Sequence, residues 1–166
     1  MTPDLRMKPL RLRPLTGGER DLAGQVFGPA LDVERVRLFS LPVWNRPFVP
    51  GGRLVVWPAA SAYADFSLAP LWLRSVLVHE LTHVWQAQRG VFLPLAKLRA
   101  GDSRAAYAYD PDDGRPFEAL NIEQQAMIVQ HAYMSRHGGA APHQPEVYSR
   151  ILAAWPNAVR PRPCDF

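Results

Sequence analysis

The amino-acid sequence predicts an α+β fold in which a small antiparallel sheet packs on helices. Residues 36–39 and 53–57 have the apolar and β-branched composition of two short strands. An apolar segment of helical length follows, opened by Pro70 and closed by Gly90. A second long helix is predicted over residues 122–136. The two strands can pair with each other and lead directly into the first of these helices.

Local end signals define the remaining elements in chain order. Thr16 and Glu19 have the spacing of a capping box, which predicts a short helix that ends at Gly28. Prolines and glycines crowd residues 41–52, so we expect a loop there. Asn121 with Gln124 predicts a second capping box at the start of the 122–136 helix. A last helix is predicted over residues 145–154.

Length and composition indicate one globular domain. The chain has 166 residues, of which 48% are hydrophobic, and this is enough to form a core. We expect the domain to span residues 15–155, preceded by an extended basic arm at 1–14 and followed by a proline-rich tail at 156–166. The net charge of +4 is scattered along the chain. Its one local cluster is predicted to be solvated and not to bind nucleic acid: Arg6, Lys8, Arg11 and Arg13.

Several features of the sequence indicate the cellular compartment of the protein. Cys164 is the only cysteine, so an internal disulfide is impossible and a reducing environment fits. Residues 1–15 lack the continuous apolar segment of a secretory signal, and no apolar segment is long enough to span a bilayer. We therefore expect a cytoplasmic protein without membrane insertion. Export by a secretion system that does not use signal peptides would not be visible in these features.

The strongest functional signal is the HExxH arrangement of zinc hydrolases, formed by His79, Glu80 and His83. Residues four apart on a helix are offset by only about 40° and about 6 Å, so both imidazoles can reach one ion. Glu80 is placed to take a proton from the water that such an ion activates. Apolar residues surround the motif, so the helix should be buried. A buried glutamate between two histidines is costly unless a metal compensates.

A catalytic zinc site usually has three protein ligands, so a third is needed. The metzincin extension would require glycine at Gln86 and histidine at Arg89, and this subclass is therefore excluded. Many zinc hydrolases of the HExxH type use a glutamate from a later helix, and Glu123 lies in the first turn of the 122–136 helix. The alternative third ligands are Glu118, His131 and Asp113.

Several blocks of this sequence are similar to small bacterial Vgr-related proteins. They are LTGGER from Leu15, VFG from Val26, LD from Leu31, RVR from Arg35, HELTHVWQ from His79 and NIEQQA from Asn121. The part up to Gln86 also resembles the zincin-like core domain of extracellular contractile injection systems. These resemblances imply a minimal zincin-like fold with His79 and His83 as ligands and Glu80 as base. The NIEQQA block implies Glu123 as the third ligand.

The primary hypothesis is a zinc-dependent metallopeptidase that uses Zn²⁺ and Glu80 to cleave a peptide bond in a peptide or protein substrate. Oxyanion stabilisation is expected from a tyrosine, with Tyr109 preferred and Tyr107 or Tyr133 as alternatives. The strand at residues 53–57 could bind substrate by strand addition.

Two other functions remain open. One is a module of a secretion or contractile injection apparatus that retains zinc for stability, has no turnover and binds a secretion-system partner. The other is zinc-assisted hydrolysis of a different amide, such as one in the cell wall. The spacing of the motif does not distinguish between these substrates.

Overall fold

The computed structural model describes residues 5–155. Its strands are β1 (Leu12–Pro14), β2 (Arg37–Leu41), β3 (Phe48–Gly51) and β4 (Leu54–Pro58). Its helices are α1 (Gly17–Phe27), α2 (Leu71–Gln88), α3 (Leu93–Ala100), α4 (Arg104–Tyr107), α5 (Ile122–Arg136) and α6 (Pro145–Ile151). The predicted α+β class is confirmed. None of the described helices combines the length and the apolar character that crossing a bilayer requires.

The sheet is mixed, with the strand order β1-β2-β4-β3. β2 and β4 pair in parallel, with Phe39 opposite Val56, whereas β1 and β3 add to them in antiparallel orientation. The predicted antiparallel pairing of the two strong strands is therefore wrong. The segment expected to be a loop contains β3, so the chain reverses direction twice between β2 and β4. Two reversals leave β4 running in the same direction as β2.

The free edge of the sheet beside α2 belongs to β3. β4 lies between β2 and β3, and its backbone is paired on both sides. The prediction that residues 53–57 bind substrate by strand addition is therefore wrong, because strand addition requires an unpaired edge. Among the described strands, β3 alone offers such an edge near α2.

Much of the predicted basic arm is part of the fold. Residues 12–14 form β1, Arg6 makes an isolated bridge with Tyr63, and Met7 is buried. Arg13 donates two hydrogen bonds of 2.7 Å to the buried carboxylate of Glu19. The predicted boundary after residue 14 is therefore wrong for residues 6–14, since β1 pairs with β2 and Arg13 also donates to the distant backbone oxygen of Tyr63 at 3.1 Å. The predicted tail at 156–166 lies outside the described residues.

The two long helices have the predicted bounds. α2 begins after Pro70 and is buried on almost all sides, as its apolar sequence indicates. The Asn121–Gln124 capping box is present and starts α5 at Ile122. The α2–α5 contact is the most extensive between any two elements of the described chain. It places the first turn of α5 against the part of α2 that carries His79 and His83.

We predict that Glu19→Gln destabilises the fold by about 3–5 kcal/mol, because it leaves the largely buried Arg13 guanidinium without its counter-ion. The Glu19 carboxylate also accepts hydrogen bonds from the backbone N–H groups of Thr16 at 2.9 Å and Phe66 at 2.8 Å. The measurement is the free energy of unfolding in urea. Glu34→Gln is the control, since it breaks an exposed ion pair with Arg20 that is worth about 0–1 kcal/mol. Similar losses in both variants would contradict the prediction.

Candidate metal centre

Helices α2 and α5 bring together the three predicted ligands. His79 Nε2 lies 3.3 Å from Glu123 Oε2, and His83 Nε2 lies 3.2 Å from the same oxygen. All three side chains are buried, and one ligand atom from each lies within 4.8 Å of the others. A cluster of this composition and spacing could bind a metal ion.

The separations between these atoms fit a tetrahedral ion. Ligand atoms at roughly 2.0–2.1 Å from a tetrahedral zinc lie about 3.3–3.4 Å from one another. The two nitrogen–oxygen distances of 3.3 and 3.2 Å are close to that value. They are longer than the common N–H···O distance of about 2.9 Å. The donor set therefore suits a metal at least as well as a pair of hydrogen bonds.

Two buried polar atoms of the triad have no hydrogen-bond partner among the described residues, His79 Nδ1 and Glu123 Oε1. The Lys97 ammonium of α3 lies 3.3 Å from Glu123 Oε1 and forms an ion pair without hydrogen-bond geometry. Buried polar atoms are normally satisfied by the protein or by something bound to it. The unpaired Glu123 Oε1 supports a ligand at this site, whereas His79 Nδ1 is the ring nitrogen that does not face Glu123.

The charges of the site favour an ionised carboxylate. Burial alone would raise the pKa of Glu123, but the contacts of its carboxylate with the His79 and His83 rings and the nearby Lys97 charge lower it well below its usual range. Burial would likewise lower the pKa of His83, but its contacts with Glu123 and the charge of Glu80 raise it. A metal would displace the proton that His83 tends to hold in the free protein.

Glu80 lines the same cleft as the triad, and its side chain is largely buried. The cleft has a volume of about 370 Å³. Its opposite wall comes from the loop before β3 and from β3 itself, through Trp44, Arg46 and Phe48. The motif and the third ligand therefore face a space in which a substrate could lie.

The three candidate tyrosines lie in different surroundings. Tyr107 lines the cleft, and its ring stacks beside His79 with centroids 6.5 Å apart. Burial and the charge of Glu123 raise the pKa of Tyr107 to about 12, so its hydroxyl stays protonated. The Tyr109 hydroxyl instead lies 2.7 Å from His131 Nδ1 and is not among the described groups that line the cleft. Tyr133 packs on His137.

The alternative third ligands lie apart from the triad. Asp113 forms an exposed ion pair with Arg115, Glu118 is exposed, and His131 contacts Tyr109. Within residues 5–155, the group of potential ligands that converges on one point consists of His79, His83 and Glu123. Among the sequence alternatives, the structure brings Glu123 alone to the two histidines.

Sequence reasoning missed several residues around the centre. Lys97, Arg46 and Trp44 reach the cleft from separate elements, and no local pattern indicates that they would. In the sequence, Gln86 indicates only that the metzincin glycine is absent, but in the structure its side-chain oxygen lies 2.8 Å from His83 Nδ1. Its spacing of three residues from His83 on one helix is the signal that could have identified this contact.

The chain is homologous to part of a secretion-system protein. It is 34% identical over 137 residues to the type VI secretion system spike protein VgrG2b of Pseudomonas aeruginosa. The match covers 75% of this chain and 13% of the length of that protein. The effector domain of Pseudomonas aeruginosa VgrG2b shares the fold, with a TM-score of 0.69 at 28% identity over 90% of this chain and 87% of that one. No protein-family model matches the chain. The resemblance to Vgr-related proteins is thus confirmed.

We predict that Glu123→Gln abolishes stoichiometric zinc binding, because an amide oxygen replaces the one charged ligand. The expected loss of affinity exceeds the roughly 10–100-fold that changes outside the ligand set typically cause. Competition with a chromophoric chelator measures the affinity, and elemental analysis gives the stoichiometry. Glu118→Gln is the matched control and should bind like the wild type, since Glu118 lies outside the cluster. Wild-type affinity in Glu123→Gln would exclude this residue as a ligand.

We also predict a pH-dependent loss of stability that depends on His131. Burial, followed by the charges of His143 and His79, lowers the pKa of His131 from 6.5 to about 4. Between these values the unfolded chain binds a proton that the folded chain resists, so stability falls as the pH falls through this window. The zinc-free wild type should lose unfolding free energy when the pH is lowered from 7 to 5. In His131→Gln this loss should be smaller by about 1 kcal/mol, a figure that allows for solvent screening. An equal decrease in both proteins would refute this assignment.

Proposed function

We propose that this chain is a secretion-associated zinc hydrolase domain that cleaves peptide bonds. The observation that carries the proposal is the convergence of His79, His83 and Glu123 on one point beside Glu80, in a single cleft. Homology to an effector domain of a type VI secretion spike protein supports the link to secretion. We assign the three ligands to His79, His83 and Glu123 and the general base to Glu80.

The ligand set suits a catalytic ion. When bound, Zn²⁺ supplies Lewis acidity that activates water and polarises a scissile carbonyl. Two neutral imidazoles and one carboxylate would balance half of its charge. Because both histidines lie on α2 and Glu123 lies on α5, the packing of these helices holds the donor atoms in place before any ion binds.

Glu80 is suited to move a proton. Its carboxylate makes no hydrogen bond or ion pair with another residue in the described part of the chain, although it is largely buried. The oxygens are therefore free to accept a proton from water in the cleft and to pass it to the leaving amide nitrogen. A positioned acid–base group of this kind typically contributes about 10²–10⁴ in rate.

The walls of the cleft suggest how a peptide would lie. Tyr107 lines the cleft and its hydroxyl stays protonated, so we assign oxyanion stabilisation to Tyr107 in place of Tyr109. In the free protein this hydroxyl donates to Asp102 at 3.2 Å, and it would turn to the substrate oxygen during the reaction. Phe48 and Val49 on the free edge of β3 also line the cleft, and an extended substrate could pair with this edge. Pro50 lacks a backbone N–H, so such pairing would be short.

A second candidate function is a zinc-retaining module of a secretion apparatus that binds a partner without turnover. Homology to part of a spike protein favours this function directly, since it concerns association with the apparatus and not chemistry. Both candidates connect the chain to secretion, so the cytoplasmic location expected from the sequence stays a prediction. The distinction between them rests on whether Glu80 serves in a reaction.

We predict that Glu80→Gln reduces cleavage of a broad peptide library by at least about 100-fold. Glutamine has almost the same shape as glutamate but cannot accept and release the proton at neutral pH. Zinc content and the melting temperature of the zinc-loaded variant should match those of the wild type, because Glu80 is not a proposed ligand. The rate of cleavage, the bound zinc and the melting curve are measured on the same preparations.

Glu34→Gln serves as the control for the loss of one carboxylate far from the cleft, and it should retain full cleavage. If the wild type binds zinc but cleaves no peptide, while it still binds a component of the secretion apparatus, the non-catalytic module is the correct function. If Glu80→Gln retains wild-type activity, another group is the base.

A further inference from the structure

We infer that Gln86 is a positioning residue that holds the proton of His83 on Nδ1 and thereby leaves Nε2 free to bind the metal. This inference rests on the proposed zinc site. The Gln86 side chain is 1% exposed and lies one helical turn after His83 on α2. It contacts both His83 and the first turn of α5, which carries Glu123.

The hydrogen bonds of Gln86 allow only one orientation of its amide. Its Nε2 donates to the backbone oxygen of Ile122 at 3.0 Å. A carbonyl oxygen can only accept, so the nitrogen must face α5. The opposite end of the amide, Oε1, therefore faces His83.

A second glutamine reinforces this orientation. Gln125 Oε1 accepts from Gln86 Nε2 at 2.9 Å. Gln125 Nε2 in turn donates to the backbone oxygens of Phe117 and Leu120, both at 3.2 Å. These carbonyls fix the Gln125 amide just as Ile122 fixes Gln86. Both amide groups are therefore fixed: Gln125 donates to the two backbone oxygens, and Gln86 donates to α5.

The orientation of the Gln86 amide determines which nitrogen of His83 carries the proton. Gln86 Oε1 lies 2.8 Å from His83 Nδ1 and cannot donate, so Nδ1 must carry the hydrogen of this bond. A neutral imidazole has a single N–H, so its Nε2 then keeps a lone pair. That nitrogen is the one that lies 3.2 Å from Glu123 Oε2. Gln86 therefore selects the form of His83 that can bind a metal next to Glu123.

Gln86 also connects the two helices that supply the ligands. Its hydrogen bond to Ile122 ties α2 to the residue immediately before Glu123. His79 has no equivalent support, because its buried Nδ1 has no hydrogen-bond partner among the described residues. The hydrogen bonds that Gln86 makes around the site therefore hold His83 and the first turn of α5, but not His79.

Three variants separate this role from general packing. Gln86→Met keeps the size of the side chain and removes the amide. Gln86→Glu keeps an acceptor toward His83 but loses the donors toward α5. Gln88→Met is the matched control: Gln88 lies on the same helix and makes three hydrogen bonds, to the backbone N–H and oxygen of Asp32 and the oxygen of Gly52.

The first readout is the position of the His83 proton in the zinc-free protein, measured by ¹H–¹⁵N NMR at a pH where the ring is neutral. We expect the proton on Nδ1 in the wild type, in Gln88→Met and in Gln86→Glu, and on Nε2 for a substantial population of Gln86→Met. A wild-type ring that carries its proton on Nε2 would overturn the inference. This measurement requires neither zinc nor turnover.

The second readout is zinc affinity by chelator competition. Residues that support metal ligands from outside typically contribute about 10–100-fold, and we expect a loss in that range for Gln86→Met. Gln88→Met should keep the wild-type affinity even if both variants lose similar stability in urea. No loss in Gln86→Met, or equal losses in both variants, would overturn the inference. If the wild type binds no zinc, the proposed function fails, and the NMR measurement still decides the role of Gln86.

Discussion

The candidate site depends on one contact, the first turn of α5 against the middle of α2. This contact buries the ionised carboxylate of Glu123 between two imidazoles, an arrangement that is unfavourable unless several groups hold it. The capping residues at the start of α5 are themselves anchored. Asn121 donates to the oxygen of Ala106 at 3.0 Å, and Gln124 donates to the oxygen of Ala108 at 2.6 Å. With Gln86 on the α2 side, the first turn of α5 is held from two directions, so the ligand geometry exists before an ion arrives.

The sheet completes the site from the opposite side. Because the chain reverses twice between β2 and β4, β3 becomes an edge strand next to α2, and the preceding turn carries Trp44 and Arg46 to the cleft. Arg46 forms an ion pair with Asp102 at 3.2 Å, and Asp102 accepts a hydrogen bond from Tyr107. The wall formed by the sheet and the wall formed by the helices are thus linked across the cleft by exposed polar groups.

The features that the sequence predicted correctly are those that local interactions determine. Capping boxes, the apolar length of α2 and the four-residue spacing of the histidines depend on neighbours along the chain, and all three are present. Features that depend on distant residues were missed. Pro50 and Gly51 made β3 look like a loop in the sequence. The pairing of β1 with β2 and the bond from Arg13 to the Tyr63 backbone lie in a segment that resembles a solvated arm, and no local pattern brings Lys97 to Glu123. Glu123 was predicted as the third ligand because it lies on a later helix and in the NIEQQA block, and its capping box defines where that helix starts.

The arrangement of polar groups bears on whether a metal here would serve stability alone. Structural zinc sites are closed by four protein ligands, whereas catalytic sites combine three protein ligands with an open position. In the described chain three potential ligands converge, and the cleft gives access to them. Glu80 adds a second argument, because its carboxylate lines the cleft and forms no hydrogen bond or ion pair with another described residue that would give it a structural role. A site that only held the helices together would need neither the cleft nor this glutamate, and both features are what the proposed hydrolase requires.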